Sequence, residues 1–422
     1  MQEAQKETQK TQDNHILTRE TTTCCIVGSG PAGAILALLL ARQGIEVTLL
    51  EEHGDFARDF RGDTVHPSTM EVLAQIGLAE RVLQLKHTKA SAMEFETPQG
   101  GKGAIEFKHL KTAFPYIALI YQAHFLECIT EAAKAYPTFR LMMGARAEKL
   151  IEEDGYVHGV QYRGKDGWHE MRAVLTVGAD GRFSRIRKLA GFEPVKSSPP
   201  MDVLWFRLPR LESDPGASGG RLELSQGHLL VRLDRGEEWQ IGYTIPKGGY
   251  QAIKAAGLEQ LRANIAKIQP AFVERMQAIT EWKQIAVLSV ESSILKRWYR
   301  PGLLLIGDAA HVMSPVGGVG INYAIQDAVA SANILTADLK RGKAPISALA
   351  RVQRRRELPT KLIQSFQKII QKRVLGSALA PAEDKQPRLP LSFKLFLRTP
   401  LLRDIPAYFV AFGPRRELVE NP

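Results

Sequence analysis

The sequence predicts an α/β fold, because short apolar runs typical of buried strands precede glycine-rich turns and helical patterns at several places. The middle of the chain adds a group of strand patterns with alternating apolar residues. Three glycine-centred segments define the turns: Gly28-Ser29-Gly30-Pro31-Ala32-Gly33, Val177-Gly178-Ala179-Asp180-Gly181-Arg182 and Leu305-Ile306-Gly307-Asp308-Ala309-Ala310. Together these features indicate a Rossmann-like unit interleaved with a mixed-sheet unit.

The first glycine segment has the context of a dinucleotide-binding turn. Thr22 to Val27 predicts the first strand, Ala34 to Gln43 a helix, and Ile45 to Leu50 a second strand that closes with Glu51. Glycines permit the tight turn, and the helix N-terminus offers N–H donors and positive potential to a pyrophosphate. Glu51 is placed to accept hydrogen bonds from ribose hydroxyls, and a carboxylate there disfavours a 2′-phosphate. The segment therefore predicts FAD or NAD rather than tightly bound NADP.

The third glycine segment distinguishes FAD from NAD. Gly302 to Ile306 predicts a buried strand with Asp308 at its end, and Ile321 to Leu339 predicts a long helix that begins near Asn322. The loop between them, residues 311–320, is rich in proline and glycine, so its backbone can lie against a flat ring. The positive end of the following helix suits the negative charge of a reduced flavin. Because a plain NAD dehydrogenase has no need of this second strand–loop–helix unit, we predict FAD.

The middle of the chain predicts a substrate sheet with strands over Leu204–Arg207, Arg221–Leu233 and Glu238–Ile245. Alternation in the last strand places Tyr243 on one face, with Gln240 and Thr244 on the other. Tyr243, Gln240 and Arg232 are candidate pocket residues, although a strand aromatic more often belongs to a core. His311 is either a proton relay or a residue with a structural hydrogen bond to its loop.

Charge and hydropathy exclude several classes of protein. The 422 residues carry a net charge of +11, and all of the excess positive charge lies from Lys340 onward. This part of the chain contains 18 Lys and Arg residues but only 6 Asp and Glu residues. No uncharged apolar run approaches the ~20 residues of a spanning helix. Residues 1–18 are too polar for a secretory signal and are interpreted as a disordered tail. The three cysteines suit a reduced, cytoplasmic compartment. The scattered histidines lack metal-ligand spacing and no nucleic-acid-binding motif occurs. We therefore predict that the protein binds neither a metal ion nor a nucleic acid.

The basic C-terminal region, residues 346–422, is predicted to be helical. Ala348 to Val374 indicates one or two basic helices, with Pro359 beginning a new helix or kinking the run. From Leu391 onward, apolar residues mix with Lys and Arg, which suits a membrane-surface helix and equally a helical cap across the substrate domain. The cap is the favoured alternative. A membrane contact would make a lipophilic, quinone-like substrate the stronger expectation.

As a set, the motifs resemble those of the class A FAD-dependent aromatic monooxygenases, the group of p-hydroxybenzoate hydroxylase and the ubiquinone-pathway hydroxylases. The resemblance covers about residues 22 to 340 and rests on the three glycine segments together with Pro315 and Asn322. Arg61, before an amphipathic helical pattern, looks like the arginine of the family that reaches FAD. Gln122, which opens a helix after Tyr121, looks like the glutamine that contacts the flavin side of the cofactor.

The resemblance implies the cofactor, the co-substrates and the site residues. In such enzymes NADPH or NADH, bound transiently, reduces the flavin, and O2 then gives a flavin C4a-hydroperoxide that transfers one oxygen atom to an electron-rich ring. The implied cofactor-binding residues are Gly28, Gly30, Pro31, Ala32, Gly33, Glu51, Arg61, Gln122, Asp180, Gly307, Asp308, Gly318, Gly320, Ile321 and Asn322. Pro315 and Gly317 are expected to form the wall opposite the oxygenating edge of the flavin, and with Tyr243 they are the candidate catalytic residues. Arg182 and Arg185 are further candidate phosphate contacts, and Arg185 is expected to be an ordinary surface arginine.

The expected organisation interleaves two domains. A Rossmann-like FAD-binding domain (19–90, 118–190 and 291–345) alternates with a mixed β-sheet substrate domain (91–117 and 191–290), between the tail and the C-terminal helical region. We predict an NAD(P)H-dependent FAD monooxygenase of an aromatic or other electron-rich substrate, lipophilic, quinone-like or polyketide-like. It is expected to be cytoplasmic or peripheral to the inner face of the membrane, and monomeric or homodimeric. A reductase or halogenase on the same scaffold, and a non-catalytic flavoprotein that binds a partner through its basic tail, are the alternatives.

Overall fold

The computed structural model describes residues 15–57, 63–96, 102–212, 214, 219–225, 228–371 and 400–420. The strands are β1 (Ile16–Val27), β2 (Val47–Glu51), β3 (Thr64–Val65), β4 (His87–Ala90), β5 (Ala92–Glu96), β6 (Lys102–Glu106), β7 (Ile117–Ile120), β8 (Phe139–Met143), β9 (Arg146–Glu153), β10 (Tyr156–Arg163), β11 (Trp168–Gly178), β12 (Pro194–Ser197), β13 (Met201–Pro209), β14 (Gly220–Ser225), β15 (His228–Asp234), β16 (Glu238–Pro246), β17 (Ala286–Leu288), β18 (Ser292–Leu295), β19 (Tyr299–Arg300), β20 (Leu303–Leu305) and β21 (His311–Val312). The α-helices are α1 (Pro31–Arg42), α2 (Pro67–Gln75), α3 (Ala79–Leu83), α4 (Gln122–Ala133), α5 (Arg185–Leu189), α6 (Tyr250–Ala256), α7 (Leu258–Ile268), α8 (Gly320–Leu339), α9 (Ile346–Ile370) and α10 (Pro400–Phe412).

The first sheet carries the three glycine segments. Its central order is β19-β20-β11-β1-β2-β8, and β10 and β9 extend it from the first half of β11. The four neighbouring pairs from β20 to β8 are parallel. Parallel strands are covered on both faces, and accordingly β2 and β20 consist of buried residues throughout. The predicted α/β fold is confirmed.

The first strand begins earlier than the sequence indicated. The predicted tail reached Thr18, whereas β1 begins at Ile16 and pairs in parallel with β11 from Trp168 onward. The Thr18 hydroxyl also lies 2.8 Å from His169 Nδ1. The tail prediction is therefore wrong for residues 16–18, because their order depends on a strand 150 residues away rather than on local apolar pattern. Residues 1–14 lie outside the described residues.

The second sheet has the order β17-β13-β16-β15-β14-β5-β6. It is mixed, since β14 and β5 pair in parallel while the other neighbours are antiparallel. The single strand predicted over Arg221–Leu233 is in fact a hairpin of β14 and β15, in which Ser225 pairs with His228. The two sheets draw their strands from segments that alternate along the chain, and the domain boundaries stay a prediction.

Helices cover both sheets. α1 packs between α8 and α4 against the first sheet, which explains why every residue from Ala32 to Ala41 is buried. α7 covers one face of the second sheet through Leu261 and Ile265. The described part of the chain contains no helix that is both long and apolar enough to cross a membrane.

The C-terminal helices pack on this framework. α9 lies along α8 and runs without a break from Ile346 to Ile370 with Pro359 in its interior, so the alternative of a new helix at Pro359 is wrong. α10 contacts α2 and β6, and its Ala407, Ala411 and Phe412 are buried in a core shared with the second sheet. Residues 400–412 thus form a cap of the predicted kind, while residues 391–399 lie outside the described residues.

Candidate cofactor and substrate site

The three glycine segments meet at one edge of the first sheet. They follow β1, β11 and β20, adjacent parallel strands in which Val27, Gly178 and Leu305 lie in register. Gly28 has a φ of 99°, and a Cβ at this position would lie 2.6 Å from the Ala179 carbonyl oxygen. Only glycine permits this approach, which brings the first two segments into contact at the crevice where α/β sheets bind their ligands.

The first segment forms a cradle at the start of α1. Gly30 precedes the helix and Pro31 is its first residue, where the missing N–H leaves no hydrogen bond unmade. A Cβ at Gly33 would lie 1.9 Å from the Gly28 carbonyl oxygen, whereas a Cβ at Gly30 would meet no atom within 4 Å. The turn is therefore closed beneath Gly33 and open above Gly30. Open space at the positive end of a twelve-residue helix fits a pyrophosphate.

Glu51 lies at the end of β2 beside this cradle. One carboxylate oxygen accepts hydrogen bonds from the Ser29 N–H at 3.0 Å and the Ser29 hydroxyl at 2.8 Å, and the other lies 2.9 Å from His53 Nδ1. Burial acts to raise the pKa of Glu51, but the hydrogen bonds from His53 and Ser29 hold it below its usual range. The side chain is thus kept as a carboxylate, the form that accepts hydrogen bonds from ribose hydroxyls.

The carboxylate of Asp180 is occupied by the protein itself. It accepts hydrogen bonds from the Ser184 hydroxyl at 2.5 Å and from the backbone N–H groups of Arg185 and Ile186 at 2.6 and 2.9 Å. Its burial raises its pKa. The side chain therefore fixes the first turn of α5, and the backbone of this segment, which packs against Gly28, is the part that faces the cradle.

Arg187 joins the second glycine segment to the third, and the sequence analysis missed it. Its guanidinium is buried and donates to the carbonyl oxygens of Asp308 at 3.3 Å, Ala309 at 3.1 Å and Arg182 at 2.7 Å. The expected phosphate contacts are engaged elsewhere: Arg182 donates to the Ser289 carbonyl oxygen and Arg185 pairs with Glu148. No local pattern marks Arg187, since two of its three acceptors lie in the distant third glycine segment.

The third segment is held by a buried ionic network. Gly307 has a φ of 60°, and a Cβ there would lie 3.1 Å from the Ala32 side chain. Asp327 of α8 accepts hydrogen bonds from the Gly307 N–H at 3.0 Å and from Arg356 Nε at 2.9 Å, and lies 2.6 Å from His311 Nε2. Burial acts to raise the pKa of Asp327, but His311 and Arg356 hold it below its usual range. His311 thus takes the structural alternative.

The C-terminal end of the chain completes this network. Arg356 also lies 3.3 Å from Glu417, which pairs with Arg355 at 2.8 Å. Glu417 follows α10, so the segment that covers the second sheet is tied to the turn at Gly307 through α9. One sequence signal could have indicated this network: Asp327 is a charged residue inside an apolar helical run.

The predicted flavin loop lies between this turn and α8. Val316 to Gly318 form a short 3-10 turn in which Gly317 and Gly318 have φ angles of 80° and 63°. Thr64 donates to the Gly318 carbonyl oxygen at 2.9 Å. Gly317 is exposed and Pro315 half-buried, and the loop leads through Gly320 and Ile321 into the first turn of α8. A flat loop in front of a helix N-terminus can receive the edge of a flavin.

Asn322 connects this loop to α2. Its side-chain oxygen accepts hydrogen bonds from the His66 backbone N–H at 3.1 Å and the Thr69 hydroxyl at 2.7 Å. Its buried amide nitrogen has no hydrogen-bond partner among the described residues. His66 is also buried, and its Nδ1 lies 2.8 Å from the Val410 carbonyl oxygen of α10. α2, α8 and α10 are therefore linked around the predicted flavin loop.

A second polar cluster lies where α4 meets the second sheet. The backbone N–H of Gln122 donates to Asp63 at 3.2 Å, and Arg235 lies 3.5 Å from Asp63 and 4.2 Å from the centre of the Tyr121 ring. Burial raises the pKa of Asp63 despite Arg235. The Arg235 side chain is 1% exposed, and neither terminal nitrogen has a hydrogen-bond partner among the described residues. Sequence analysis missed Arg235, a buried donor that fits a ligand with acceptor atoms. Arg61 lies outside the described residues.

The face of the second sheet that carries Tyr243 points away from the predicted flavin loop. Tyr243 pairs across the sheet with Leu204 and Leu230, and all three lie in the core covered by α7. Gln240 lies on the opposite face, which packs toward α10 and the loop through Trp205. The structure therefore places Tyr243, a catalytic candidate, in the core under α7 and away from the predicted flavin loop, and Arg232 lies on the same face as Tyr243.

Comparisons with known proteins agree with this geometry. The family described as FAD binding domain matches residues 20–365. The chain is 33% identical to 6-methylpretetramide 4-monooxygenase of Streptomyces rimosus over 91% of each chain. It is 27% identical to 3-demethoxyubiquinol 3-hydroxylase of Escherichia coli K12, over 83% of this chain and 89% of the relative. The structure of PqsL, a probable FAD-dependent monooxygenase of Pseudomonas aeruginosa, superposes with a TM-score of 0.73 at 24% identity, covering 86% of this chain and 99% of PqsL.

The chain belongs to the FAD-binding-domain family of class A aromatic monooxygenases. It is an FAD-dependent monooxygenase that uses NAD(P)H and O2 on an aromatic or other electron-rich substrate, so the predicted cofactor and reaction class are confirmed. The cradle at Gly30, the carboxylate of Glu51 and the side-chain nitrogen of Asn322, which has no hydrogen-bond partner among the described residues, fit FAD. The assignment of individual cofactor-binding residues stays a prediction.

Proposed function

We propose that the protein hydroxylates a polycyclic phenolic substrate of the aromatic polyketide type. The observation that carries this proposal is the 33% identity to 6-methylpretetramide 4-monooxygenase, which extends over 91% of both chains. A match of that length includes the second sheet and at least part of the C-terminal region. A fused-ring phenol is also electron-rich, as oxygen transfer from a flavin requires.

The residues around the predicted flavin loop support a flat, apolar substrate. Four apolar side chains from three separate elements are only half-buried there: Trp205 and Val231 on the second sheet, Val316 in the loop and Val410 on α10. A Cβ added to Gly317 would lie 3.8 Å from the Val410 side chain. Incompletely covered apolar surface on facing elements suits a polycyclic ring system, which gains by burying that surface.

The cofactor is assigned to the edge of the first sheet. FAD, when bound, supplies hydride acceptance and oxygen activation. In this proposal the start of α1 at Gly30 binds its pyrophosphate, Glu51 its ribose and Asp308 its ribityl chain. Gly318, Gly320, Ile321 and Asn322 position the flavin, while Pro315 and Gly317 form the wall beside the substrate. Arg235 and Gln122, in the second polar cluster, orient the cofactor.

The proposal also covers location and assembly. We place the protein in the cytoplasm as a monomer or homodimer, with peripheral contact between its basic C-terminal region and the membrane. The charge of this region supports the contact, because the chain from Lys340 onward contains 18 Lys and Arg residues but only 6 Asp and Glu residues.

Anaerobic reduction followed by oxygenation tests the proposed substrate. The FAD-loaded protein is mixed with NADPH or NADH in the presence of a pretetramide-type tetracycle, p-hydroxybenzoate or a ubiquinone precursor, and then with ¹⁸O2. We expect the tetracycle alone to accelerate flavin reduction and to gain one ¹⁸O atom. Coupling only to a monocyclic phenol or a quinone precursor would refute the polyketide assignment while leaving the monooxygenase class intact.

A pair of variants tests which face of the second sheet binds the substrate. Trp205→Ala should raise the KM for the substrate about tenfold, because a large apolar contact is lost. Tyr243→Phe keeps the ring in the core under α7 and should leave KM and kcat unchanged. The reverse result would return Tyr243 to the site.

A further inference from the structure

The outward face of α9 is not covered by any other described element. This surface, the outer face of α9, consists of eight exposed residues: Arg351, Arg354, Leu358, Lys361, Leu362, Ser365, Lys368 and Ile369. These positions recur every three or four residues, so they form one stripe along the helix. The stripe from Arg351 to Ile369 is about 27 Å long at 1.5 Å per residue.

Apolar side chains form the centre of this stripe. Leu358 is 63% exposed, Leu362 43% and Ile369 54%. Scattered single apolar residues are normal on a protein surface, but these three lie in line on one helix and form an apolar strip that only Ser365 interrupts. The same helix buries its opposite face against α8 and the first sheet, so these three residues are not part of the core.

The charged residues of the outer face are all cations. Arg351, Arg354, Lys361 and Lys368 border the apolar strip, and no carboxylate lies on the face. Glu357, which lies beside it, is paired with Lys361. A symmetric contact between two copies of this face would bring these cations together, which opposes association with a second copy. The charge is instead complementary to an anionic surface.

A cationic hollow opens beside the N-terminal half of the stripe. This open cavity of about 530 Å³ lies between α9 and the loop before β19, and its lining includes Lys296, Arg297 and Arg354 together with one carboxylate, Glu357, which pairs with Lys361. None of the three cations has an ion-pair partner among the described residues. Unpaired cations around a concave site fit a phosphate headgroup.

The inner face of α9 connects this surface to the site. Gln364 donates to the Ser293 and Val312 carbonyl oxygens, and Gln367 donates to the Ser314 and Val316 carbonyl oxygens at 2.9 and 2.7 Å. The helix that presents the cationic and apolar stripe therefore also holds the first half of the predicted flavin loop, at Val312, Ser314 and Val316. One helix diameter, about 10 Å, separates the outer face from that loop.

We propose that the outer face of α9 docks the protein on an anionic lipid surface, with Leu358, Leu362 and Ile369 in the interfacial layer and the hollow at Arg354 around a lipid phosphate. This inference rests on the proposed function, which includes a membrane contact of the basic C-terminal region, and deepens it by assigning that contact to one face of α9 and to anionic lipid. An amphipathic helix with cations beside its apolar strip binds at a membrane interface without crossing it.

Vesicle flotation of the full-length, FAD-loaded protein tests the proposal without turnover. We expect binding to phosphatidylcholine vesicles that contain phosphatidylglycerol and little binding to phosphatidylcholine alone. Each cation near an anionic surface contributes about fivefold in affinity, so Arg354→Gln/Lys361→Gln/Lys368→Gln should weaken binding by about a hundredfold. Leu358→Ser/Leu362→Ser/Ile369→Ser should also detach the protein. The control Val273→Ser/Val287→Ser removes apolar residues that are 52% and 41% exposed elsewhere and should bind normally.

The outcomes separate this proposal from its rivals. Equal binding to both kinds of vesicle, no binding at all, or retained binding by the two α9 variants would overturn it. Sedimentation velocity identifies the other occupant: if the apolar variant converts a dimer to a monomer, the face binds a second copy and the proposal is wrong. Flavin content and reduction by NADPH are measured on every variant, so a folding defect is recognised and failure here leaves the monooxygenase assignment untouched.

Discussion

Removal of the Asp327 carboxylate should destabilise the turn that carries Gly307 and Asp308. The carboxylate is fully buried and serves three donors, the Gly307 N–H, His311 and Arg356. In Asp327→Ala the guanidinium of Arg356, itself fully buried, loses its nearest anion. Breaking a buried ion pair by removing one partner costs about 3–5 kcal/mol, so we expect a loss of this size in unfolding free energy. FAD affinity should fall about tenfold as the Gly307 N–H loses its acceptor.

Urea unfolding followed by tryptophan fluorescence measures the loss of stability, and quenching of FAD fluorescence measures the affinity. Asp338→Ala is the matched control, because Asp338 lies on the same helix but pairs with two exposed arginines, Arg341 and Arg351. We expect it to cost less than about 1 kcal/mol. The double variant Asp327→Ala/Arg356→Met should lose less stability than the sum of the single variants, since both charges are then gone. A loss in Asp327→Ala no larger than in the control would refute the reasoning.

Three further predictions concern the cradle, the junction of the loops and the response to pH. Gly33→Ala should destabilise the apoprotein, because its Cβ would lie 1.9 Å from a backbone oxygen, whereas Gly30→Ala should fold normally and weaken only FAD binding; equal melting temperatures of the two apoproteins would contradict this. Arg187→Met should lower both stability and FAD affinity, by about 2 kcal/mol or more in stability, while Arg185→Met, at a surface ion pair, should change little; the same two assays measure both. Burial lowers the pKa of His66 from 6.5 to about 4, so the unfolded state binds the proton first and the wild type should lose about 3 kcal/mol as pH falls from 6.5 toward 4. Denaturant titrations across that range should show a much smaller loss in His66→Asn, and parallel curves would exclude His66 as the source.

The sequence by itself determined the class of the protein and the identity of its cofactor, and it predicts where that cofactor binds. Strand, glycine turn and helix occur within about twenty consecutive residues, so the conformation at Gly28, Gly30 and Gly33 follows from local sterics and the helix N-terminus. The order of the three glycine segments then implied FAD. Parallel pairing of β1, β11 and β20 brings the segments together at one edge.

The tertiary structure alone decided which polar groups hold these segments and which face of the second sheet meets them. Asp327, Arg187 and Arg235 contact residues far away in the chain: Asp327 accepts hydrogen bonds from the Gly307 N–H and from Arg356, whereas the two arginines lie against backbone oxygens and a carboxylate on other segments. Alternation in a strand separates Tyr243 from Gln240, but it does not say which side α7 will cover. Local patterns fix backbone geometry and periodicity, whereas the direction of a buried face and the partner of a buried charge depend on elements that the chain brings together only when it folds.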